Sequence, residues 1–400
     1  MYNGHIMFFH EIAEGQPDPI FGLNEAFQAD VRPNKLNLII GIYKDDQLRS
    51  HLMGSVMQAK NQIASQDVMA DYLPIDGLSD LHEQLGMIVF GETRWKESHG
   101  RVYTAQSVGG TGALQVGGQF LCQEVSKSIA ISTPTWPTHR SIFERAGMRV
   151  ETYPYYSRDK HGIDFDGLCS SLKRMTEKTV VLLHPVCHNP TGCDPSTEQW
   201  KELSRIIREK RLLPFFDFAY QGLGEGLEKD RQAIDIFMND GHEMLIAYSC
   251  AKNFSLYCQR VGVLFVVDEN AAVKLRVGSQ IKKIIRSLYS NPPAHGARIV
   301  AALLQDAALK EKWKKELDAM RHRISVIRES LIRRLGVNFE FLRHHKGMFS
   351  FIDLDKSQVQ QLINQFAIYL IDNGRISLTG LNSENIDYVA SSITAVCKKA

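Results

Sequence analysis

Between Ser128 and Val267 the chain repeats one pattern, a short apolar run followed by a longer polar stretch of helical spacing. The runs are Ser128 to Ser132, Thr179 to Leu183, Leu212 to Phe216, Met244 to Ala247 and Val261 to Val267. Runs this short, apolar and flanked by polar punctuation read as strands buried on both faces. Thr197 to Arg211 is typical of what lies between them, with Trp200, Leu203, Ile206 and Ile207 at helical spacing. The alternation predicts an α/β domain with a mostly parallel sheet flanked by helices. Open sheets of this kind collect ligands at the carboxyl ends of their strands. The polar residues just past each run are therefore the first place to look for chemistry.

Asn189 follows the second run, Asp217 and Tyr220 follow the third, and Lys252 follows the fourth, with Arg260 just beyond. Upstream, Tyr103 to Gly112 leads into a helix-like stretch from Ala113 to Val125. Glycines at a helix start expose backbone N–H groups, a ready anion site. This is neither a dinucleotide fingerprint, since Gly110 and Gly112 lack a third glycine and position 115 is Gln, nor a P-loop, since no Gly-Lys-Ser/Thr ending follows. Each residue has a plain alternative: Asn189 before Pro190 as a turn residue, Asp217 as a helix cap, Arg260 as the partner of any acid, Lys252 as a solvated lysine. Together they bring an amine, a carboxylate, a phenol, an amide and an anion site to one sheet edge. That set meets the needs of pyridoxal 5′-phosphate. Its aldehyde takes a lysine, its pyridine nitrogen a carboxylate that keeps the ring an electron sink, and its phosphate N–H groups and an arginine. His184 and His188 have the spacing of helical metal ligands, but Pro185 and Pro190 interrupt any helix, so no metal is expected.

Four hundred residues suggest a large domain plus a smaller one. Leu36 to Tyr43 is apolar, and Gly41 near its end permits either a close approach or a bulge. Leu52 to Val68 has helical spacing, and Ser79 is placed to cap a helix ending near Gly91. Leu309 to Leu335, free of Gly and Pro, reads as a long bridging helix. Its Arg321, Arg323, Arg328, Arg333 and Arg334 interleave with Glu311, Glu316, Asp318 and Glu329, as on a solvated face rather than a nucleic-acid surface. Phe339 to Ala400 reads as small α+β structure, with strands at Phe349 to Leu354 and Arg375 to Leu378. The division expected is an N-terminal arm over 1–14, a small domain from 15–48 and 319–400, and a large cofactor domain over 49–318. A net charge of +2 gives no pull toward nucleic acid or anionic membrane, and no apolar run matches a membrane span. Seven cysteines without a CxxC pair fit reduced thiols in the cytoplasm, and Met1 to Glu14 lacks the cationic start of a signal peptide.

The motifs GGTGAL (Gly109 to Leu114), TWPTH (Thr135 to His139), HNPTG (His188 to Gly192), FFDFAYQG (Phe215 to Gly222), SCAKNF (Ser249 to Phe254) and YSNPPAHG (Tyr289 to Gly296) occur in order, with Arg375 downstream. In combination the chain resembles the class I aminotransferases of pyridoxal-phosphate fold type I, and within them the aspartate/aromatic group, from Pro19 to about Val396. The resemblance implies that Lys252 binds the cofactor covalently and moves the proton, that Asp217 pairs with the pyridine nitrogen, and that His139 orients Asp217. It implies that Trp136 stacks on the ring, that Asn189 and Tyr220 bond the ring oxygen, and that Gly110, Thr111, Ser249 and Arg260 hold the phosphate. Arg375 would clamp the substrate α-carboxylate, with Gly41 against the substrate. Tyr72 and Arg286 would reach in from the neighbouring subunit of a homodimer, Tyr72 to the phosphate and Arg286 to a distal carboxylate. The implied reaction is ping-pong transamination, through pyridoxamine phosphate, between an amino acid and 2-oxoglutarate. The donor is L-aspartate or another dicarboxylic or aromatic amino acid; an aromatic-selective enzyme and a non-catalytic cofactor binder are the rivals. Lys44, Thr111 and Asn291 match aspartate-selective members, while Ser50 and Asp71 match neither pattern. Ala251, Ile39 and Pro185 depart from serine, glycine and glycine respectively.

Overall fold

The computed structural model describes residues 8–15, 18–50, 52–65 and 71–397. One sheet dominates it: β1 Val102–Val108, β2 Ser128–Thr133, β3 Arg149–Pro154, β4 Val180–Leu183, β5 Leu213–Phe218, β6 Met244–Ser249 and β7 Val261–Val267, in the spatial order β1-β7-β6-β5-β4-β2-β3. Neighbours from β3 through β6 pair in parallel, and β7 runs antiparallel to both β1 and β6. Alternate residues feed opposite faces: Phe216, Ile246 and Phe265 join one core, Phe215, Leu245 and Leu264 the other. Both faces are thus covered, which is why these strands are written as unbroken apolar runs. Each fully buried Phe or Leu contributes about 1.5–3 kcal/mol.

Several boundaries differ from expectation, and two of them matter for the site. β5 continues to Phe218, so Asp217 is not a cap beyond the strand but a paired strand residue, in register with Ala247. Helix α1, Gly109–Glu124, begins at the first glycine rather than at Ala113, and no side chain caps it. The GGTG run is therefore its first turn. Ser79 does not cap its helix, Ser79–Phe90; Leu78 holds the cap position and its N–H donates to Gln106 Oε1 at 3.1 Å. The predicted helix over Leu52 to Val68 runs from Gly54 to Ala64, and its last three positions lie outside the described residues, as do positions 1–7 of the N-terminal arm.

Only Leu36–Asn37 of the early apolar run is strand, and it pairs in parallel with Ile368–Tyr369. Two short strands, β8 Phe349–Phe351 and β9 Arg375–Ser377, pair antiparallel. Early and late segments of the chain are thus joined by short strand pairs outside the large sheet. Three further helices complete the frame used below: α2 Thr138–Arg145, α3 Ala271–Leu288 and α4 Ala307–Leu335. The long α4 crosses positions 318–319 unbroken. Three of its arginines are ion-paired, Arg321 with Asp318 at 2.8 Å, Arg323 with Asp46 and Arg334 with Asp387. Arg328 departs from that reading: it is buried and donates to the carbonyl of Gly347. Among the described residues no helix is long and apolar enough to cross a membrane.

Candidate active site

A cavity of about 440 Å³ opens at the carboxyl edge of the sheet. Eleven of the residues expected there line it: Gly41, Gly110, Thr111, Trp136, Asn189, Asp217, Tyr220, Ser249, Lys252, Arg260 and Arg375. The antiparallel β7 explains how one corner is built. Its first residue, Val261, lies level with the end of β1, and Gly262 lies level with Ser249 at the end of β6. Arg260 therefore enters beside the start of α1. A Cβ on Gly262 would lie 2.4 Å from the carbonyl carbon of Gly109, so only glycine lets these backbones touch. The corner offers the N–H groups of Gly110 and Thr111 in the first turn of α1, the Ser249 hydroxyl and the Arg260 guanidinium, which donates to Tyr257 O at 3.0 Å, while the Gly109 N–H donates to Arg260 O at 3.0 Å. A helix start with an arginine beside it fits a phosphate.

Lys252 stands in the turn after β6, half-buried, with Nζ 5.2 Å from the centre of the Tyr220 ring. Burial pushes its ammonium down to about 8; Asp217 opposes the shift, and Arg260 and Arg375 add to it. An amine so placed is available as free base near neutral pH. Asp217 faces it from β5. Burial alone would raise the Asp217 carboxyl, but the hydrogen bond from His139, with the Lys252 ammonium facing it, holds it below its usual range. His139, on α2, reaches Asp217 Oδ2 with Nε2 at 2.9 Å and has Thr135 Oγ1 2.8 Å from Nδ1. Trp136 meets the His139 ring edge-on at 5.2 Å. The Asp217 carboxylate stays charged, as a partner of a pyridinium must.

His184 was read only for its spacing to His188, but it completes this group. Its Nε2 lies 3.8 Å from Asp217 Oδ2, both ring nitrogens lack a hydrogen-bond partner, and burial pushes the ring down to about 3. His139, His184 and Asp217 offer atoms within 4.8 Å of one another, a spacing a metal ion could span. The 2.9 Å bond between His139 and Asp217 already uses two of these ligands on each other. The neighbouring His188 is not helical with His184; it bonds Ser132 and Thr191 instead.

Across the cavity lies Arg375, the first residue of β9 and 2 % exposed. Nη1 donates to Asn189 Oδ1 at 2.9 Å, Nη2 donates to Ile39 O at 2.5 Å, and the guanidinium lies 4.0 Å from the centre of the Phe349 ring. Its Nε has no partner, and among the described residues no carboxylate pairs with it. Burial pulls this guanidinium down to about 10. A buried cation without an acid calls for an anion from outside. Asn189 Nδ2 also reaches Tyr220 Oη at 3.4 Å, and burial keeps that phenol protonated by raising it. Ile39 needs no glycine, because its side chain packs with Tyr369 and Ile371 and only its carbonyl serves Arg375.

Of the expected residues, His139 stands behind Asp217 and does not line the cavity, and Tyr72 and Arg286, expected from a neighbouring subunit, do not reach it within one chain. Tyr72 is 91 % exposed, and Arg286, in the last turn of α3, is exposed and bonds Ser290 Oγ. Asp71 is exposed beside Tyr72. Asn291 Nδ2 donates to Leu73 O at 3.3 Å, and Lys44 faces Ser50 across an isolated bridge. Lining residues missed by sequence reasoning are Tyr257, whose hydroxyl accepts from Tyr43 N at 2.8 Å, and Phe349, Ile40, Ile20 and Phe21. The position of Tyr257, midway between Lys252 and Arg260, was a usable signal. Phe349 carried none.

Residues 33–393 match the family described as aminotransferase class I and II. An aspartate aminotransferase from Haemophilus influenzae is 42% identical over 394 residues, covering 97% of this chain and 100% of that protein. A crystal structure of an aromatic-amino-acid aminotransferase from Burkholderia pseudomallei, covalently bound to pyridoxal phosphate, superposes with a TM-score of 0.94 at 40% identity, over 98% of this chain and 100% of that one. A psychrophilic aromatic amino acid aminotransferase from Psychrobacter sp. B6, cocrystallised with aspartic acid, gives 0.95 at 40% identity over the same shares.

Proposed function

The chain belongs to the class I and II aminotransferases, and from that premise we propose that it moves the α-amino group of L-aspartate to 2-oxoglutarate, taking the two substrates in turn. One observation carries the reading: a buried, acid-free Arg375 and an amine poised near neutrality, Lys252, share one cavity.

Pyridoxal 5′-phosphate, when bound, supplies an aldehyde carbon for an amino group and a ring that draws off the electrons left when a Cα–H bond breaks. The donor set fits it. The N–H groups of Gly110 and Thr111, the Ser249 hydroxyl and Arg260 would take the phosphate. Ala251 adds no hydroxyl there, a loss on the order of 1 kcal/mol. Trp136 would cover the ring face, and Asn189 and Tyr220 would face the ring oxygen. Asp217, aimed by His139, would keep the pyridine nitrogen protonated by stabilising its charge. Lys252 Nζ would hold the aldehyde carbon and then carry the proton from the donor's Cα. Arg375 would grip the α-carboxylate in a two-pronged pair, for which guanidinium is suited, with Gly41, Trp136 and Asn189 lying along the substrate.

A homodimer completes the pocket in this reading: Tyr72 and Arg286, exposed in one chain, would enter the partner's cavity. The chain divides, on the same reading, into an arm over 1–14, a small domain of 15–48 and 319–400, and a large domain of 49–318. Seven unpaired cysteines suit a cytoplasmic location.

Aspartate is preferred as donor because Lys44, Thr111 and Asn291 match aspartate-selective enzymes and Arg286 offers a partner for a distal carboxylate. Selection for an aromatic donor is the second reading, favoured by the exposed Asp71 beside Tyr72, which repels an acidic substrate. Initial rates with aspartate, tyrosine and phenylalanine, in wild type and Arg286→Asp, decide between them. The variant should lose far more kcat/KM for aspartate than for phenylalanine and favour cationic donors. Equal losses make Arg286 structural, and a wild-type preference for tyrosine or phenylalanine makes the enzyme aromatic-selective.

A further inference from the structure

Asn189 contacts both Tyr220 and Arg375, yet it stands on a loop, 186–194, that has no helix or strand of its own. One carboxylate gathers that loop. Asp194 Oδ2 accepts the N–H of Cys187 at 2.8 Å and Oδ1 accepts the N–H of His188 at 2.9 Å. Cys187 has φ +53°, a left-handed conformation that a residue with a Cβ adopts only when its surroundings impose it. The two charge-assisted bonds on either side of the Cys187 α-carbon supply that constraint. The opposite side of the loop is packed shut. A Cβ on Gly347 would fall 2.6 Å from Cys187 Cβ, and Lys346 N donates to Gly192 O at 2.7 Å. The residue after the two latched amides is Asn189, whose Oδ1 accepts from Arg375. Asp194 itself does not line the cavity.

From this geometry we propose that Asp194 is a positioning residue for substrate binding. It pins the peptide N–H groups of 187 and 188, so that Asn189 Oδ1 meets Arg375 and sets the angle at which the guanidinium faces a carboxylate. The inference rests on Arg375 being the α-carboxylate clamp of the proposed reaction.

The test is a double-mutant cycle on the holoenzyme, with the dissociation constant of succinate, a dicarboxylate without an amino group, as readout. Asp194→Asn is isosteric, but its amide can accept only one of the two N–H groups and turns a donor on the other. Asp194→Asn and Asn189→Ala should each weaken succinate about 10-fold, and the double variant should be no weaker than Asn189→Ala alone. In steady state Asp194→Asn should raise KM for the amino donor with kcat changed by less than about 3-fold. Unchanged succinate binding in Asp194→Asn, or losses that multiply to about 100-fold in the double variant, would overturn the proposal. Should Asp194→Asn fail to fold, Asp194→Glu, which keeps the charge but displaces both acceptor atoms, enters the same cycle with the same expectations. Failure of the underlying reading is visible separately, as succinate binding that Arg375→Met leaves intact.

Discussion

Replacing Arg375 by methionine should divide its service to the fold from its service to catalysis. Burial pulls the guanidinium well below its ordinary value, to about 10, and one unit corresponds to about 1.4 kcal/mol. Keeping it charged in the folded protein therefore costs about 3 kcal/mol. The sign follows from a folded value below the unfolded one: the penalty is complete below about pH 10 and fades as the pH rises past it. Methionine, of similar length, removes the penalty. It also removes the hydrogen bonds to Asn189 Oδ1 and Ile39 O, worth about 1.5–3 kcal/mol each as bonds from a charged donor. The balance runs from no change to a loss of about 3 kcal/mol, a Tm shift of about 5 °C or less. Catalysis has no such offset. A lost two-pronged contact with the α-carboxylate, at about 3–6 kcal/mol, lowers kcat/KM by about 10²–10⁴-fold. Thermal melts beside steady-state kinetics with aspartate measure both. A stability loss above about 5 kcal/mol, or a kcat/KM within 10-fold of wild type, would refute the reasoning.

Asp217→Asn keeps the shape but not the charge proposed to face the pyridine nitrogen, so turnover should fall by several orders of magnitude while the cofactor stays bound; near-normal turnover would remove the electronic role. For Lys252, with its ammonium pushed down to about 8, capture of pyridoxal phosphate by the apoenzyme, followed by visible absorbance, should accelerate through about pH 8 and level off above it. A midpoint near 10.5, or borohydride labelling of another lysine on peptide mapping, would show that the burial argument is misapplied.

The sheet was legible because both of its faces are covered, and coverage writes itself as apolar runs at β4, β6 and β7. The polar residues at the ends of those runs were legible for the same reason. Asp217 was the instructive miss in placement. A carboxylate inside a strand contradicts propensity, and its bond to His139 on α2, far away in sequence, helps make the position tenable. Phe349 under Arg375 and the orphaned ring of His184 were unreadable, since each depends on packing between segments whose separation no local period encodes. Tyr72 and Arg286 were read from resemblance alone, and one chain leaves them exposed.

The bond from Arg375 to the carbonyl of Ile39 joins positions 336 residues apart. A ribosome releases the chain from its first residue, and domains fold as they emerge. All seven strands of the large sheet, and the residues proposed to receive the phosphate, have been translated once the chain reaches Val267. Ile39 must then wait for about a hundred further residues before its partner is translated. In the proposed reading, therefore, the residues placed on the cofactor, Gly110 to Arg260, are all made before Arg375, the residue placed on the substrate.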